Sequence, residues 1–204
     1  MKIAIIGITG RVGSRIASEL LARNHQVTGI ARTIDPAFVP PAGLSLQRGD
    51  TSQPAALAQQ LAGHDAVISA ARFVTTEASD IIAAVKQAGA PRLLVVGGAA
   101  SLEVAPGQLL LDAPDFPEIY KAEASAGLRF LKVLRVEREL EWTFLSPPLM
   151  FEPGQRTGVF RLGGDELLVD EEGKSWISME DYAVAFADEF ETARHNRRRF
   201  TVGY

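Results

Sequence analysis

Three glycines near the amino terminus have the spacing of a phosphate-binding turn. Residues 3–6 are continuously apolar, Gly7, Gly10 and Gly13 follow, and residues 14–23 have helical spacing. In a strand–turn–helix of this kind, backbone amides at the helix N-terminus point at an anion and favour its negative charge. Gly7 would permit the turn, Gly10 would let the backbone approach the phosphates, and Gly13 would let the helix pack closely on the strand. The sequence therefore predicts a site for the diphosphate of a dinucleotide.

Further candidates for cofactor contacts lie in the same turn and after the later predicted strands, because ligands of such sheets bind outside the carboxyl ends of the strands. They are Thr9, Arg11 and Val12 in the turn, followed by Asp50, Thr51, Ser69, Ala70, Ala71, Gly97, Gly98, Ser146 and Pro147. Two alternatives stay open. Asp50 could instead be the N-cap of the following helix, and the glycine turn could join a strand to a helix and bind nothing.

The residue that follows the second predicted strand favours NADPH over NADH. Enzymes selective for NAD usually place a carboxylate there, which accepts a hydrogen bond from the ribose 2′-hydroxyl. Here the strand ends at Ala31 and Arg32 follows. Its guanidinium could bind a 2′-phosphate and stack on adenine, and Arg11 would add a second positive charge. The alternative is that Arg32 is an ordinary exposed loop residue.

The composition argues against several classes of function. The 204 residues carry a formal net charge of −4 and contain no cysteine. We therefore expect no nucleic-acid partner, no disulfide and no thiolate chemistry. The three histidines lack the spacing of metal ligands, so no metal site is expected.

The length and the apolar pattern lead to further expectations. The first strand begins at once, which leaves no room for a signal peptide, and no apolar run approaches the ~20 residues that span a bilayer. We expect a cytoplasmic protein without membrane contacts, either a monomer or a weak homodimer.

Strands and helices alternate along the first 150 residues. The predicted strands are 3–6, 26–31, 44–49, 65–70, 92–96 and 142–146, and the predicted helices are 14–23, 54–62, 77–88 and 118–139. This alternation predicts an α/β fold, a Rossmann-type doubly wound parallel sheet with right-handed crossovers.

The pattern changes after residue 150. Strands over 158–162 and 166–169 would flank a Gly163-Gly164-Asp165 hairpin turn, and a helix over 179–193 and a strand over 199–202 follow. We expect one NAD(P)-binding domain over 1–204, with a Rossmann core over 1–150. Residues 151–204 would form a small α+β elaboration that packs over the carboxyl edge of the sheet and walls a substrate pocket.

Motifs along the whole chain carry a resemblance to a known family. They are Gly7-Ile8-Thr9-Gly10-Arg11-Val12-Gly13, Gly63-His64-Asp65, Val96-Gly97-Gly98-Ala99, Trp142-Thr143-Phe144-Leu145-Ser146-Pro147, Arg156-Thr157-Gly158, Leu162-Gly163-Gly164-Asp165 and Ser178-Met179-Glu180-Asp181-Tyr182. With these motifs the chain resembles the atypical short-chain dehydrogenase/reductases. More narrowly, it resembles the NmrA-like proteins and the small bacterial NADH-flavin reductases, which are related to biliverdin reductase B. The resemblance implies an NAD(P)H-dependent oxidoreductase.

The chain departs from the catalytic pattern of that superfamily. Typical members carry Tyr-x-x-x-Lys after the fifth strand, where the lysine lowers the pKa of the tyrosine. Here Ala124 stands four residues after Tyr120, and the usual serine position is Gly98, with Ser101 the nearest serine. This argues against oxidation of alcohols or reduction of ketones. Ser101 and Tyr120, the latter beside Lys121, are the candidate proton donors; the alternative is a packed or exposed tyrosine with no chemical role.

Hydride transfer to a flavin or quinone demands less of the protein, because orientation over the nicotinamide can suffice. We therefore expect a reductase that uses NADPH, with NADH possible, and takes FMN, FAD or a quinone as a substrate rather than as a fixed cofactor. Candidates for a flat pocket are Phe73, Phe116, Tyr120, Met150 and Phe151, and candidates for a flavin phosphate are Arg72, Lys121 and Arg156. One alternative is a non-catalytic NADP(H)-binding redox sensor of the NmrA-like type. Another is an isomerase or epimerase on the same fold, which would need acid/base groups that the sequence does not show.

Overall fold

The continuous apolar runs of the sequence form the centre of one eight-stranded sheet. The computed structural model describes residues 1–204. Its strands are β1 (Lys2–Ile6), β2 (Gln26–Ala31), β3 (Leu44–Arg48), β4 (Ala66–Ser69), β5 (Arg92–Val96), β6 (Glu103–Ala105), β7 (Gln108–Leu109), β8 (Glu141–Ser146), β9 (Met150–Glu152), β10 (Arg161–Gly163), β11 (Trp176–Ser178) and β12 (Arg198–Gly203). Its α-helices are α1 (Arg11–Ala22), α2 (Pro54–Leu61), α3 (Ala78–Gln87), α4 (Glu118–Val136) and α5 (Met179–Thr192).

The order of the strands confirms the predicted doubly wound fold. Across the sheet the order is β3-β2-β1-β4-β5-β8-β12-β10. All neighbours are parallel except β10, which runs antiparallel to β12. The order reverses between β1 and β4, and in sheets of this kind ligands bind in the crevice at that point, outside the carboxyl ends of the strands.

Helices cover both faces of the sheet, which explains why the central strands are mostly apolar. One buried cluster of 21 residues joins the sheet to α1 and α5, and a second cluster of 21 residues joins it to α2, α3 and α4. Ile3, Ala4 and Ile5 alternate between the two clusters, and all three are fully buried. A parallel strand that is covered on both sides has no polar face. No helix in the structure combines the length and the apolar character needed to cross a membrane.

The predicted hairpin over 158–162 and 166–169 is not formed. Only Arg161–Gly163 is a strand, and it pairs with β12, with Gly163 opposite Thr201. Glu166 makes a single bridge to Glu103 instead of continuing a strand. Gly163 is the last residue of β10, and only a bend at residues 164–165 follows it. The free edge of β12 offers the strand a partner that lies far away in the sequence. Such long-range pairing overrides a local pattern.

A buried carboxylate holds together the parts of the segment after residue 150. Ser178 caps α5, where its hydroxyl accepts from the Asp181 amide at 3.0 Å. The Asp181 carboxylate is fully buried and accepts from the amides of Thr157 and Gly158 at 2.7 and 2.8 Å. It also accepts from the hydroxyls of Thr157 and Tyr204. Burial alone would raise the pKa of Asp181, but these hydrogen bonds lower it below its usual value.

Replacing Asp181 with asparagine tests how strongly this carboxylate stabilises the fold. We expect Asp181→Asn to lower the free energy of unfolding at pH 7 by about 1–3 kcal/mol, because an amide cannot accept from all of these donors. The folded-state pKa lies below the unfolded value of about 3.9, so the stabilisation is present above that pH and is lost as the pH falls through the folded-state pKa. Urea denaturation should therefore show that the difference between wild type and variant shrinks on acidification.

A matched control lies on the same helix. Asp188 is exposed and forms an ion pair with Arg23 at 2.8 Å, so Asp188→Asn should change the free energy of unfolding by at most about 0.5 kcal/mol. Equal losses for the two variants would contradict a special role for Asp181.

Candidate functional site

The turn between β1 and α1 can be built only from very small residues. Gly7 has a φ of +84°, and a Cβ there would lie 2.7 Å from the carbonyl oxygen of Ala70. A Cβ on Gly13 would lie 2.4 Å from the carbonyl oxygen of Gly7. The first turn of α1 therefore packs directly on the β1 turn, and that turn packs directly on the end of β4. The helix begins at Arg11, earlier than predicted, because its first turn carries no apolar periodicity.

The amino-terminal end of α1 keeps its hydrogen-bond donors free. The Gly10 amide donates to Gly7 and the Ser14 amide donates to Gly10, each at 3.0 Å. The amides of Arg11, Val12 and Gly13 have no acceptor within the protein, and no acidic side chain lies in the first turn. Free amides together with the positive end of the helix dipole suit a diphosphate. The Arg11 side chain points away from these amides and forms an ion pair with the Glu152 carboxylate at 2.6 Å.

A groove of about 210 Å³ runs from this turn along the carboxyl ends of β1, β2, β3 and β4. We call it the nucleotide groove. Its lining includes seven of the predicted cofactor residues, namely Gly7, Thr9, Gly10, Arg32, Thr51, Ala70 and Ala71, together with Gly49, Arg72, Thr75 and Thr76. The structure thus brings together residues from four separate parts of the sequence.

Beyond Arg32 the groove continues into a hollow of about 420 Å³, which we call the arginine hollow. Its lining includes Arg32, Arg48, Gly49, Asp50 and Gln53. Sequence reasoning missed Arg48, which ends β3 opposite Ala31 in the parallel register. The strand pairing is what brings the two arginines to one hollow, and it could not be found from either arginine alone.

Asp50 is not the N-cap of α2, because the helix begins only after Gln53. Its carboxylate instead accepts from the amide of Ser52 at 2.9 Å and from the Ser52 hydroxyl at 3.0 Å. These two hydrogen bonds, with a smaller contribution from the charge of Arg32, lower the pKa of Asp50. The carboxylate lines the arginine hollow in its ionised form.

A second and larger cavity lies beside the nucleotide groove, at the carboxyl ends of β5 and β8. Its volume is about 600 Å³, within the usual range for small-molecule sites. Four aromatic residues contribute to its lining, Phe73, Phe116, Tyr120 and Phe144, with Gly97, Gly98, Ala99, Ala100, Ser101, Leu110, Ala113, Asp115, Pro117, Glu123, Ala124, Gly127, Leu128 and Leu149. We call it the aromatic cavity. Because β4 and β5 are neighbouring strands, the groove and the cavity meet at one edge of the sheet.

The wall of the aromatic cavity differs from the expected one. Predicted pocket residues Phe73, Phe116 and Tyr120 line it, but Met150 and Phe151 do not, and no residue after 150 does. The wall expected from residues 151–204 is absent from this cavity. It is supplied by the loop between β5 and α4, which contains the β6–β7 ribbon and two 3-10 turns.

The two glycines after β5 have different surroundings. A Cβ on Gly97 would lie 2.3 Å from the ring of Phe144, so packing explains that glycine. Gly98 has an extended backbone with a φ of −132°, and a Cβ there would meet nothing within 4 Å. Neither strain nor packing explains a glycine at Gly98. It leaves open space in the cavity beside the groove, where a flat ring could lie close to the backbone.

Ser101 is a polar group for which the protein supplies no partner. The residue lines the aromatic cavity and is 6% exposed, and its hydroxyl is buried and makes no hydrogen bond. A buried hydroxyl without a partner is costly and commonly marks a functional position.

Tyr120 lies in the first turn of α4 with 61% of its surface exposed. Lys121 is directed away and pairs with Glu118 at 2.6 Å, so the structure forms no tyrosine–lysine pair.

Several predicted residues lie outside both cavities. Ser69, Ser146 and Pro147 are buried at the ends of β4 and β8 and line neither the groove nor the aromatic cavity. Val12 and Gly13 would contribute to the diphosphate site only through their free backbone amides. Arg156 binds Glu19 on α1 at 2.8 Å, away from the aromatic cavity. It is therefore not a ligand for an acceptor in that cavity.

Glu123 on α4 joins the two cavities, and sequence reasoning missed it. Its carboxylate accepts from the amides of Phe73 and Val74 at 2.7 and 3.2 Å, and the Arg72 guanidinium lies 3.6 Å away. The 3-10 turn that it holds lines the nucleotide groove through Thr75 and the aromatic cavity through Phe73. No local pattern marks a glutamate whose partners are backbone amides 50 residues away.

Known proteins resemble this chain along its length. A family model described as NAD(P)H-binding matches residues 7–191. A provisionally named exported protein from Burkholderia pseudomallei is 43% identical, with a TM-score of 0.89 and 100% of both chains covered. A provisionally named epimerase from Bacteroides thetaiotaomicron is 41% identical, with a TM-score of 0.94 over 100% of this chain and 96% of that one.

A third solved structure carries a different name. A provisionally named NADH-flavin reductase from Streptococcus pneumoniae is 34% identical, with a TM-score of 0.86 over 100% of this chain and 99% of that one. Since the Burkholderia relative is named as exported, the cytoplasmic location expected for this chain stays a prediction.

Replacing Gly10 with aspartate tests the glycine turn without unfolding the helix. Aspartate is a favoured N-cap residue, and a Cβ on Gly10 would meet only the Gly7 oxygen, at 3.2 Å. We expect Gly10→Asp to keep a melting temperature near that of the wild type. Calorimetric titration should show that its affinity for NADPH falls by at least about tenfold, because the carboxylate competes for the free amides and repels a diphosphate.

Ser18→Asp is the matched control, since it adds the same charge to an exposed position of the same helix. Its affinity for NADPH should stay within about twofold of the wild type, because the position lies beyond the first turn. Unchanged binding by Gly10→Asp would contradict the assignment of the turn.

Proposed function

This chain belongs to the NAD(P)H-binding family, and we propose that it is an oxidoreductase of the atypical short-chain dehydrogenase/reductase group that reduces a free flavin or quinone with NADPH. The observation that carries the proposal is the aromatic cavity that opens beside the nucleotide groove and contains no tyrosine–lysine pair. The Streptococcus relative, named provisionally as an NADH-flavin reductase, supports the same acceptor class.

The residues present fit a bound NADPH from one end to the other. The free amides at the start of α1 would hold its diphosphate. Arg32 and Arg48 would hold the 2′-phosphate in the arginine hollow. Gly98 would leave room for the nicotinamide, with Ala70 and Ala71 beside the ribose. When bound, NADPH supplies a hydride, that is, two electrons and one hydrogen nucleus.

The aromatic cavity would orient the acceptor. Phe73 and Phe144 lie nearly parallel, with ring centroids 6.0 Å apart, and form an apolar floor. A planar conjugated acceptor can lie against such a surface with its reactive face towards the groove. Orientation of this kind is the main contribution that the protein makes to hydride transfer between two ring systems.

Ser101 would stabilise the negative charge that the hydride brings to the acceptor. The Ser101 hydroxyl is buried and has no partner in the protein, and a rotation about its Cα–Cβ bond would be needed to turn it into the cavity. From there it would donate a hydrogen bond to a ring carbonyl oxygen of the acceptor, where the charge collects. One proton, ultimately from solvent, completes the reduction. Tyr120 lies at the exposed side of the same cavity and would contact the acceptor without an activated hydroxyl.

A non-catalytic NADP(H) sensor is the second candidate function, and the missing tyrosine–lysine pair favours it. Such a protein would keep the whole nucleotide groove and would need nothing from the aromatic cavity. Turnover therefore discriminates between the two candidates, whereas NADPH binding does not.

We expect the purified protein to oxidise NADPH when riboflavin or a short-chain quinone is added, at a rate that saturates with the concentration of the acceptor. The absorbance of NADPH measures this rate. Ser101→Ala should lower kcat by about tenfold to a hundredfold with little change in KM, because the hydrogen bond strengthens only as charge develops. Ser125→Ala on α4, outside the cavity lining, is the control and should behave as the wild type. Tight binding of NADPH without turnover on any acceptor would contradict the reductase proposal and support the sensor.

Arg32→Gln tests the preference for NADPH. Removing one guanidinium should weaken NADPH binding by about tenfold and leave NADH binding within about twofold, because only NADPH has a 2′-phosphate. Arg48→Gln should act in the same direction. Titration of both nucleotides measures the ratio, and equal affinity of the wild type for the two would contradict the preference.

A further inference from the structure

The charged side chains that line the aromatic cavity are both acidic. They are Asp115, in the loop before α4, and Glu123, on α4 itself. The other lining residues are uncharged, and most are apolar or aromatic. No arginine, lysine or histidine faces the cavity, which is unusual for a site that would accept a phosphate.

The cations nearest to the cavity already have acidic partners. Arg72 lies beside Glu123, and Lys121 pairs with Glu118. Arg199 is buried behind Ser101, where it donates to the Ser101 carbonyl oxygen at 3.3 Å and forms an ion pair with Asp165. None of these three side chains lines the cavity, and each has a nitrogen within 4 Å of a carboxylate oxygen.

The carboxylates of the two acidic residues differ in their hydrogen-bond partners. Glu123 is held by the amides of Phe73 and Val74. Asp115 is exposed at the cavity and makes no hydrogen bond and no ion pair with the rest of the chain. Its charge therefore acts on whatever enters the cavity, with no compensation from a neighbouring cation.

We propose that the acceptor of this cavity is an uncharged planar ring system, either a quinone or a flavin that lacks the phosphate, and that Asp115 excludes phosphate-bearing flavins. The inference rests on the proposed function, because it describes the acceptor side of the same reaction. A phosphate of FMN would meet one uncompensated carboxylate and no cationic donor, and like charges brought together at a binding site strongly disfavour the wrong partner. Riboflavin presents the same ring system without that charge.

Riboflavin and FMN form a matched pair of probes. For the wild type we expect riboflavin to bind at least about tenfold more tightly than FMN, measured by quenching of flavin fluorescence. The ratio of the kcat/KM values should favour riboflavin to a similar extent. Added salt should reduce the preference, because Asp115 is exposed and its field is screened.

Asp115→Asn removes the charge and keeps the shape of the side chain. It should improve FMN binding by at least about threefold and change riboflavin binding by less than about twofold. Asp112→Asn is the control: Asp112 is exposed in the same loop but does not line the cavity. This variant should leave the preference unchanged.

The binding and turnover measurements separate the two ideas. Equal or tighter binding of FMN by the wild type would overturn the uncharged acceptor, even if both flavins are reduced. A preference for riboflavin without turnover on riboflavin or a short-chain quinone would overturn the reductase and leave the ligand class standing. Failure to bind either flavin or the quinone would overturn both.

Discussion

The close contact between three stretches of bare backbone is the constraint on which the rest of the structure depends. Gly13 packs on the carbonyl of Gly7, and Gly7 packs on the carbonyl of Ala70, each at a distance that leaves no space for a Cβ. This contact places the first turn of α1 directly above the crevice between β1 and β4. The free amides of the helix and the strand ends beside that crevice take their positions from it.

The parts of the structure that depend on local pattern were predictable. Strands over 26–31 and 92–96 were predicted with their observed bounds, because β-branched and aliphatic runs between turn residues have one compatible place in such a fold. The nucleotide groove was largely predictable for the same reason, since its residues follow the strands. Pairing between distant parts of the sequence was not predictable. Strand β10 pairs with β12 instead of a local partner, and Arg48 reaches the arginine hollow only through the register of β3 with β2. Glu123 likewise acts on backbone amides 50 residues away.

The two ends of the candidate site have different structural origins. The nucleotide groove is built from the turn and strand ends that define the fold, whereas the aromatic cavity is closed by the irregular loop between β5 and α4. The relatives reflect this division, since chains that are 34–43% identical and nearly superimposable carry provisional names as different as epimerase and NADH-flavin reductase. A shared fold determines the nucleotide end, and the proposed acceptor would be selected by the loop. The acidic and apolar character of that loop is therefore the most informative property of this chain.

The antiparallel strand β10 has a consequence for the sheet as a whole. It is only three residues long, so one margin of the sheet offers very little unpaired backbone to another molecule. At the opposite margin β3 is short, carries Ser45, Gln47 and Arg48 on its exposed positions, and follows a proline pair. Short, polar margins resist the strand-by-strand addition that leads to aggregates. The two margins of this sheet therefore offer little backbone for pairing with a second chain.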